Sequence, residues 1–248
     1  MTTLVYPYLH HPGTRDGFEL KLSLRSVHAH LPPDVEVLVV GNELPSWVRA
    51  GTLEFVEREH RPDWAPGRNV NNALFTASAA VATEKMVLMN DDFIITGVPE
   101  GTTFPMIYLM EWEEFYRATQ RVHHTEVAYK ACGRITHRLL KHLPDAKSFE
   151  GHNPMEVETA AMHEILKSVL GRAEGENVFI RSLYGNLAKP PSVQGRDLRL
   201  NAFDPPLRTV EDFARHSGWV STNEKYTLKG QMECLAGMMN EPSRWEME

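Results

Sequence analysis

The alternation that opens the chain leaves it few architectures. Leu4-Val5-Tyr6-Pro7-Tyr8 is a short apolar run of strand character. Phe18, Leu20, Leu22, Leu24, Val27 and Leu31 then recur at a mostly helical spacing, until Pro32-Pro33 stops the run. Val35-Glu36-Val37-Leu38-Val39-Val40-Gly41 follows, β-branched and closed by glycine. Strand, helix and strand in that order make a βαβ unit, whose crossover is right-handed. Leu53 to Val56 predicts a third strand. Asn69 to Ala82 predicts an Ala-rich helix that sets Ala73, Leu74 and Ala77 against a sheet, and Met86 to Met89 predicts a fourth strand. Alternating β and α elements argue for a largely parallel α/β sheet flanked by helices.

Beyond about residue 100 the pattern changes. Phe104 to Leu109 predicts a strand, and Glu113 to Arg121 and Thr125 to Leu143 predict helices. Asn153-Pro154-Met155-Glu156 has the form of a helix start, with Asn as cap and Pro at the first helical position, so a helix is expected from there to Leu170. Val178-Phe179-Ile180 predicts a short strand, Lys189 to Pro206 an irregular segment, and Glu211 to His216 and Lys229 to Met238 the last helices. The expectation is one domain over 1–248: an α/β half at 1–100, and a mainly helical half at 101–248 packed across its ligand edge. With 42% hydrophobic and 24% charged residues, a core of that size is available. The net charge of −7 argues against broad binding to nucleic acid, which needs basic surface to displace counterions. Cys132 and Cys234 are too few and too far apart for a disulfide framework. With no signal-peptide pattern and no apolar run near ~18 residues, a soluble cytoplasmic chain with no membrane span is expected.

The fourth strand carries the chemistry. Lys85-Met86-Val87-Leu88-Met89 ends abruptly in Asn90-Asp91-Asp92. Two adjacent acids are costly to bury unpaired, so the strand delivers them to the carboxyl edge of the sheet, where open α/β folds bind ligands. Their side chains alternate, so they face different ways. A plain Asn-Asp-Asp turn is the simpler alternative. Mn²⁺ or Mg²⁺ is held by one or two carboxylates plus substrate phosphates; Asp91 and Asp92 are the candidate ligands, with His152 as a third. Arg15, Arg25 and Arg68 border the same edge, Arg68 with Asn69, Asn71 and Asn72 beside it, and guanidinium groups match phosphate oxygens. Each of these arginines could equally serve an ion pair, and Arg25, inside a helix, has a structural acid as a strong rival partner. His152 could contact phosphate, ligate a metal or move a proton. Tyr6 and Trp64 could stack on a base, although aromatic side chains more often pack. No Walker A loop, Gly-x-Gly-x-x-Gly, Gly-x-Ser-x-Gly or paired-Cys motif is present.

Several segments resemble a known family. Arg15-Asp16-Gly17-Phe18-Glu19-Leu20-Lys21-Leu22-Ser23-Leu24-Arg25-Ser26-Val27, Val37 to Val40 and Pro45-Ser46-Trp47-Val48 look like the opening of the Stealth family of sugar-phosphate transferases. Asn90-Asp91-Asp92-Phe93 is similar to its Asn-Asp-Asp motif, Gly151-His152-Asn153-Pro154 to its His-x-Pro motif, and Phe179-Ile180-Arg181-Ser182 to its Phe-x-Arg segment. The resemblance implies a glycosyltransferase-A (GT-A)-like, Rossmann-like fold, with Asn90, Asp92, His152 and Arg181 in the active site. Two departures stand out. The family's opening Tyr-x-Trp-Val-Asp-Gly is Tyr6-Pro7-Tyr8-Leu9-His10-His11 here, and the chain after about residue 185 matches none of the pattern. The GT-A class at large is also similar, through Gly67-Arg68-Asn69 and the acids that end the fourth strand.

The expected function is therefore a metal-assisted transferase that moves a sugar from a nucleotide-sugar to an acceptor hydroxyl on a glycan, a protein or a modified nucleobase. Asp92, His152 and Arg181 are its expected catalytic residues, and Tyr6, Arg15, Arg25, Arg68, Asn72 and Asn90 its substrate-binding ones. A hexose-1-phosphate transferase and a non-catalytic sugar-nucleotide or glycan-binding protein are the alternatives. For a nucleobase acceptor, the Arg196–Arg199 region would supply the basic groove.

Overall fold

The computed structural model describes residues 2–10, 16–97, 104–121, 127–170, 177–197, 199, 218–222, 237 and 239–247. Along the chain its elements are β1 (Thr3–Tyr8), α1 (Phe18–His30), β2 (Glu36–Gly41), β3 (Glu54–Glu57), α2 (Pro66–Ala80), β4 (Lys85–Leu88), β5 (Phe93–Ile95), β6 (Met106–Tyr108), β7 (Met110–Glu111), α3 (Trp112–Arg121), α4 (Val127–Leu140), β8 (Lys147–Ser148), β9 (Met155–Glu158), α5 (Thr159–Leu170), α6 (Ile180–Leu187), β10 (Ser192–Gln194) and β11 (Trp219–Ser221).

A five-stranded sheet in the order β3-β2-β1-β4-β9 forms the centre. The first four strands are parallel, and β9 closes the edge antiparallel to β4. Helices cover both faces, which is why these strands read as nearly continuous apolar runs. The pleat divides them. Leu4, Tyr6, Val37, Val39 and Val87 pack on Leu20, Leu24 and Val27 of α1. Val5, Leu38, Val40, Met86 and Leu88 pack on Ala73, Leu74 and Ala77 of α2 and Met162 and Leu166 of α5. Each fully buried large apolar side chain contributes about 1.5–3 kcal/mol.

Three local expectations are corrected. The helix after the third strand starts at Pro66 rather than Asn69, with Pro at its first position and extended Ala65 before it, so Gly67 and Arg68 lie in its first turn. Residues 155–158 are a strand. Met155 and Val157 are buried at 1% exposure each, while Lys85 pairs with Glu156 across the strands at 2.7 Å. The period of two and the open edge of β4 outweigh the helix-start signal of Asn153-Pro154. The helix begins at Thr159 instead of Pro154, and the Thr159 N–H and hydroxyl donate to Glu84 O and Thr83 O, both at 2.8 Å. Val178 and Phe179 form no strand. Side chains satisfy their backbone instead: Asn71 Nδ2 donates to Val178 O at 3.1 Å, and Phe179 N donates to Thr136 Oγ1 at 2.9 Å. Within the segment expected to be irregular, β10 pairs in parallel with β6. The helices expected over Glu211–His216 and Lys229–Met238 lie outside the described residues, apart from Gly237. Among the described residues no helix is long and apolar enough to cross a membrane.

Candidate active site

β1 and β4 end at the same edge of the sheet. Met89 N donates to Val5 O at 2.9 Å, which extends the β4 pairing by one residue. The chain then turns, with Phe93 N donating to Asn90 O at 3.1 Å. β5 leaves antiparallel to β11, with Phe93 opposite Ser221. Thr222 N donates to Asp92 O at 3.1 Å, and Ser221 Oγ donates to Asp92 Oδ2 at 2.7 Å. The acid turn is thereby fastened to a segment far along the chain.

The two acids meet different neighbours. Burial, with Asp92 and Glu19 nearby, pushes the Asp91 carboxyl up to about 7. Burial also raises Asp92, with the Ser221 hydroxyl, His152 and Arg199 opposing part of the rise.

The second half of the chain brings three polar groups to this turn. Glu150 Oε1 accepts from Ser182 N at 2.9 Å and from Ser182 Oγ at 2.8 Å. Burial raises the Glu150 carboxyl, while Ser182 and Arg181 oppose the rise. Arg181, in the first turn of α6, donates from Nη1 to Asn153 O at 2.6 Å and lies 5.6 Å from the centre of the Phe93 ring. Burial lowers its guanidinium pKa, with Glu150 and Asp92 opposing. His152 Nδ1 lies 3.0 and 3.2 Å from the two carboxylate oxygens of Asp197.

A cleft of about 280 Å³ lies against this edge, with Asn90, Tyr129, Cys132, Glu150 and Arg181 in its wall. A hollow of about 130 Å³ adjoins it over the ends of β2 and β3, where Asn42, Arg58, His60 and Asn69 line it. Pro7, Pro66 and Val70 belong to both. Cys132 is 4% exposed and burial pushes its thiol up, so it is a wall residue and not a nucleophile.

Asn90, Asp92, His152 and Arg181 thus converge from three separated segments. Other expected site residues are elsewhere. Tyr6 is 0% exposed, on the α1 face of β1, and its hydroxyl bonds Ser23 Oγ at 2.9 Å, so it packs the core and borders no base. Arg25 is a structural cation: its Nε and Nη2 donate to the two oxygens of Glu246, each at 2.7 Å. Arg68 stacks its guanidinium 4.0 Å from the Trp64 ring centre. Asn72 supports Arg58, accepting from its Nη2 at 3.1 Å. Arg15 lies outside the described residues. Glu150, Tyr129, Arg58 and Asp197 went unforeseen. Only Glu150 had a signal, its place directly before Gly151-His152.

The metal set Asp91, Asp92 and His152 is not assembled. Among the described residues no group of three or more His, Cys, Asp or Glu converges as a metal centre. Asp91 is grouped with Tyr8 and Glu19, Asp92 is bonded to Ser221, and His152 Nδ1 is engaged by Asp197. What the acids do fit is attachment of a cation through one or two carboxylates, since Asp91 sits among like charges that a cation would offset.

No protein-family model matches the chain, and no curated protein matches it. Among the solved structures that resemble it, two do so across nearly its whole length. One is the galactosyltransferase LgtC in complex with donor and acceptor sugar analogues, the other an active-site mutant of LgtC. Each has a TM-score of 0.51 and 9% identity, covering 98% of this chain and 98% of the other. At that identity the likeness is one of fold: a mainly parallel α/β sheet flanked by helices, of the GT-A type.

Proposed function

We propose that this chain is a nucleotide-sugar-dependent glycosyltransferase that transfers a sugar to an acceptor hydroxyl. The observation that carries the proposal is the pair of contiguous cavities at the carboxyl edge of the sheet, the larger holding a fixed carboxylate and a fixed guanidinium. A nucleoside in the smaller hollow would meet Asn42, Arg58 and Asn69. A sugar in the larger would meet Glu150 and Arg181, with the Tyr129 ring for its apolar face. The diphosphate would pass Pro66, at the N-terminus of α2, where the helix dipole favours an anion. In the reaction the bond between the sugar carbon and diphosphate oxygen breaks, with its electron pair leaving on the diphosphate. The acceptor oxygen bonds to that carbon, and its proton passes to His152. A Mn²⁺ or Mg²⁺ ion attached to Asp91 or Asp92 would supply neutralising charge for the departing diphosphate.

Transfer of hexose 1-phosphate is the second reading. It is favoured by the convergence of Asn90, Asp92, His152 and Arg181, the residues that the Stealth resemblance singles out. A third is retention of the fold for binding alone. A thermal-shift screen of nucleotide-sugars, with and without Mn²⁺, tests binding. A ligand at a hundredfold its Kd adds about 2.7 kcal/mol of stability. The nucleotide released then separates the readings: a diphosphate for sugar transfer, a monophosphate for sugar-phosphate transfer, none for binding alone. A screen in which no nucleotide-sugar shifts the transition defeats both transfer readings and leaves only binding of a glycan.

A further inference from the structure

We infer that Asp197 is a positioning residue that fixes His152 as the tautomer protonated on Nδ1, leaving Nε2 bare. This rests on the transferase reading only for its consequence in turnover, not for the ring geometry. Asp197 follows β10, and the pairing of β10 with β6 carries it toward the loop of His152, with Gly195 N donating to Tyr108 O at 3.0 Å. There it grips His152 twice. Its Oδ1 accepts the His152 backbone N–H at 3.0 Å, and Oδ2 lies 3.0 Å from the ring Nδ1. Oδ1 also accepts Arg199 N at 3.3 Å, which orients the carboxylate from its own side. The carboxylate is held below its ordinary range. Burial alone would raise it, but the His152 ring and backbone bonds outweigh that, so it remains an anion and an acceptor.

An ionised carboxylate can only accept, so the nitrogen facing it must carry the proton. Nε2 has no hydrogen-bond partner among the described residues, and His152 lies close enough to Asp92 to act on its carboxyl. A base oriented by a third group through its other nitrogen is the arrangement that nucleophile activation requires. Asp197 acts through His152 and need not touch the substrate.

Asp197→Asn is the informative variant, because its amide oxygen still accepts the backbone N–H groups while its NH₂ can offer a proton to the ring. The ring tautomer is read in alkaline buffer by long-range ¹H–¹⁵N correlation of the histidine rings, with His152→Gln identifying the His152 signal. The expected result is an Nδ1–H signature in the parent, lost or mixed in Asp197→Asn. With a nucleotide-sugar that the parent turns over, kcat falls at least tenfold in Asp197→Asn and the donor KM stays within twofold. An Nε2–H signature in the parent, an unchanged ring in the variant, or an unaltered kcat overturns the inference. A parent that consumes no nucleotide-sugar overturns the transferase reading alone, and the spectrum still decides the tautomer.

Discussion

Replacing Glu246 with Gln should destabilise the chain by about 3–5 kcal/mol, the cost of removing one partner from a buried ion pair. Glu246 is 4% exposed and takes both Arg25 contacts at 2.7 Å, Lys21 Nζ at 3.1 Å and Ser243 N at 2.8 Å. Burial alone would raise its carboxyl. The Arg25 guanidinium, the Ser243 N–H and the Lys21 ammonium outweigh this and hold it at about 2, from an ordinary 4.5. That displacement corresponds to coupling on the order of 3 kcal/mol, in agreement with the mutational figure. For a chain of this size the loss should lower Tm by on the order of 10 °C. The pH dependence has a definite sign. A depressed carboxyl contributes stability that is complete above 4.5 and is lost as pH falls through about 2. The gap between parent and Glu246→Gln should therefore close across that window. Urea unfolding followed by circular dichroism, run at several pH values, measures both effects. A variant within about 0.5 kcal/mol of the parent at neutral pH would refute the structural role of the pair and free Arg25 for another. The magnitude required is well above typical surface substitutions.

Asp92→Asn should lower turnover by about 10²-fold or more, as loss of a group at the reacting centre does, and should leave urea stability unchanged because the amide can still accept from Ser221. Glu150→Gln keeps an acceptor for Ser182 but removes the charge, so steady-state kinetics should show the donor KM rising roughly tenfold or more, as for loss of a charged hydrogen bond. Gly185→Ala should destabilise by about 1–3 kcal/mol through overpacking, despite the better helix propensity of alanine, because the new Cβ would press on the Phe149 ring. Thermal denaturation measures that last effect.

The first half of the fold was legible because its signals are local. The α1 bounds Phe18–His30 follow the apolar spacing directly, and β1, β2 and β4 are apolar runs between turn residues. The second half was less so. Residues 153–156 carry a genuine helix-start pattern, yet the free edge of β4 recruits 155–158 as a strand. Val178-Phe179-Ile180 is apolar because Phe179 packs against Trp112, Phe115 and Tyr129, not because it pairs in a sheet. The acids at Asp91 and Asp92 announced the site. Their supports did not, since Ser221 and Asp197 reach it only through pairings between distant short strands, which no local period encodes. Arg25 misled because a guanidinium that serves a diphosphate and one that serves Glu246 look alike in sequence.

The central claim is that the paired cavities hold a nucleotide-sugar whose sugar is transferred. The most direct measurement is the nucleotide released when the chain is incubated with a panel of nucleotide-sugars and Mn²⁺ or Mg²⁺, read by mass. Release of a nucleoside diphosphate, abolished in Asp92→Asn, is the predicted result. Every donor returned intact, or a release that Asp92→Asn leaves undiminished, would contradict it.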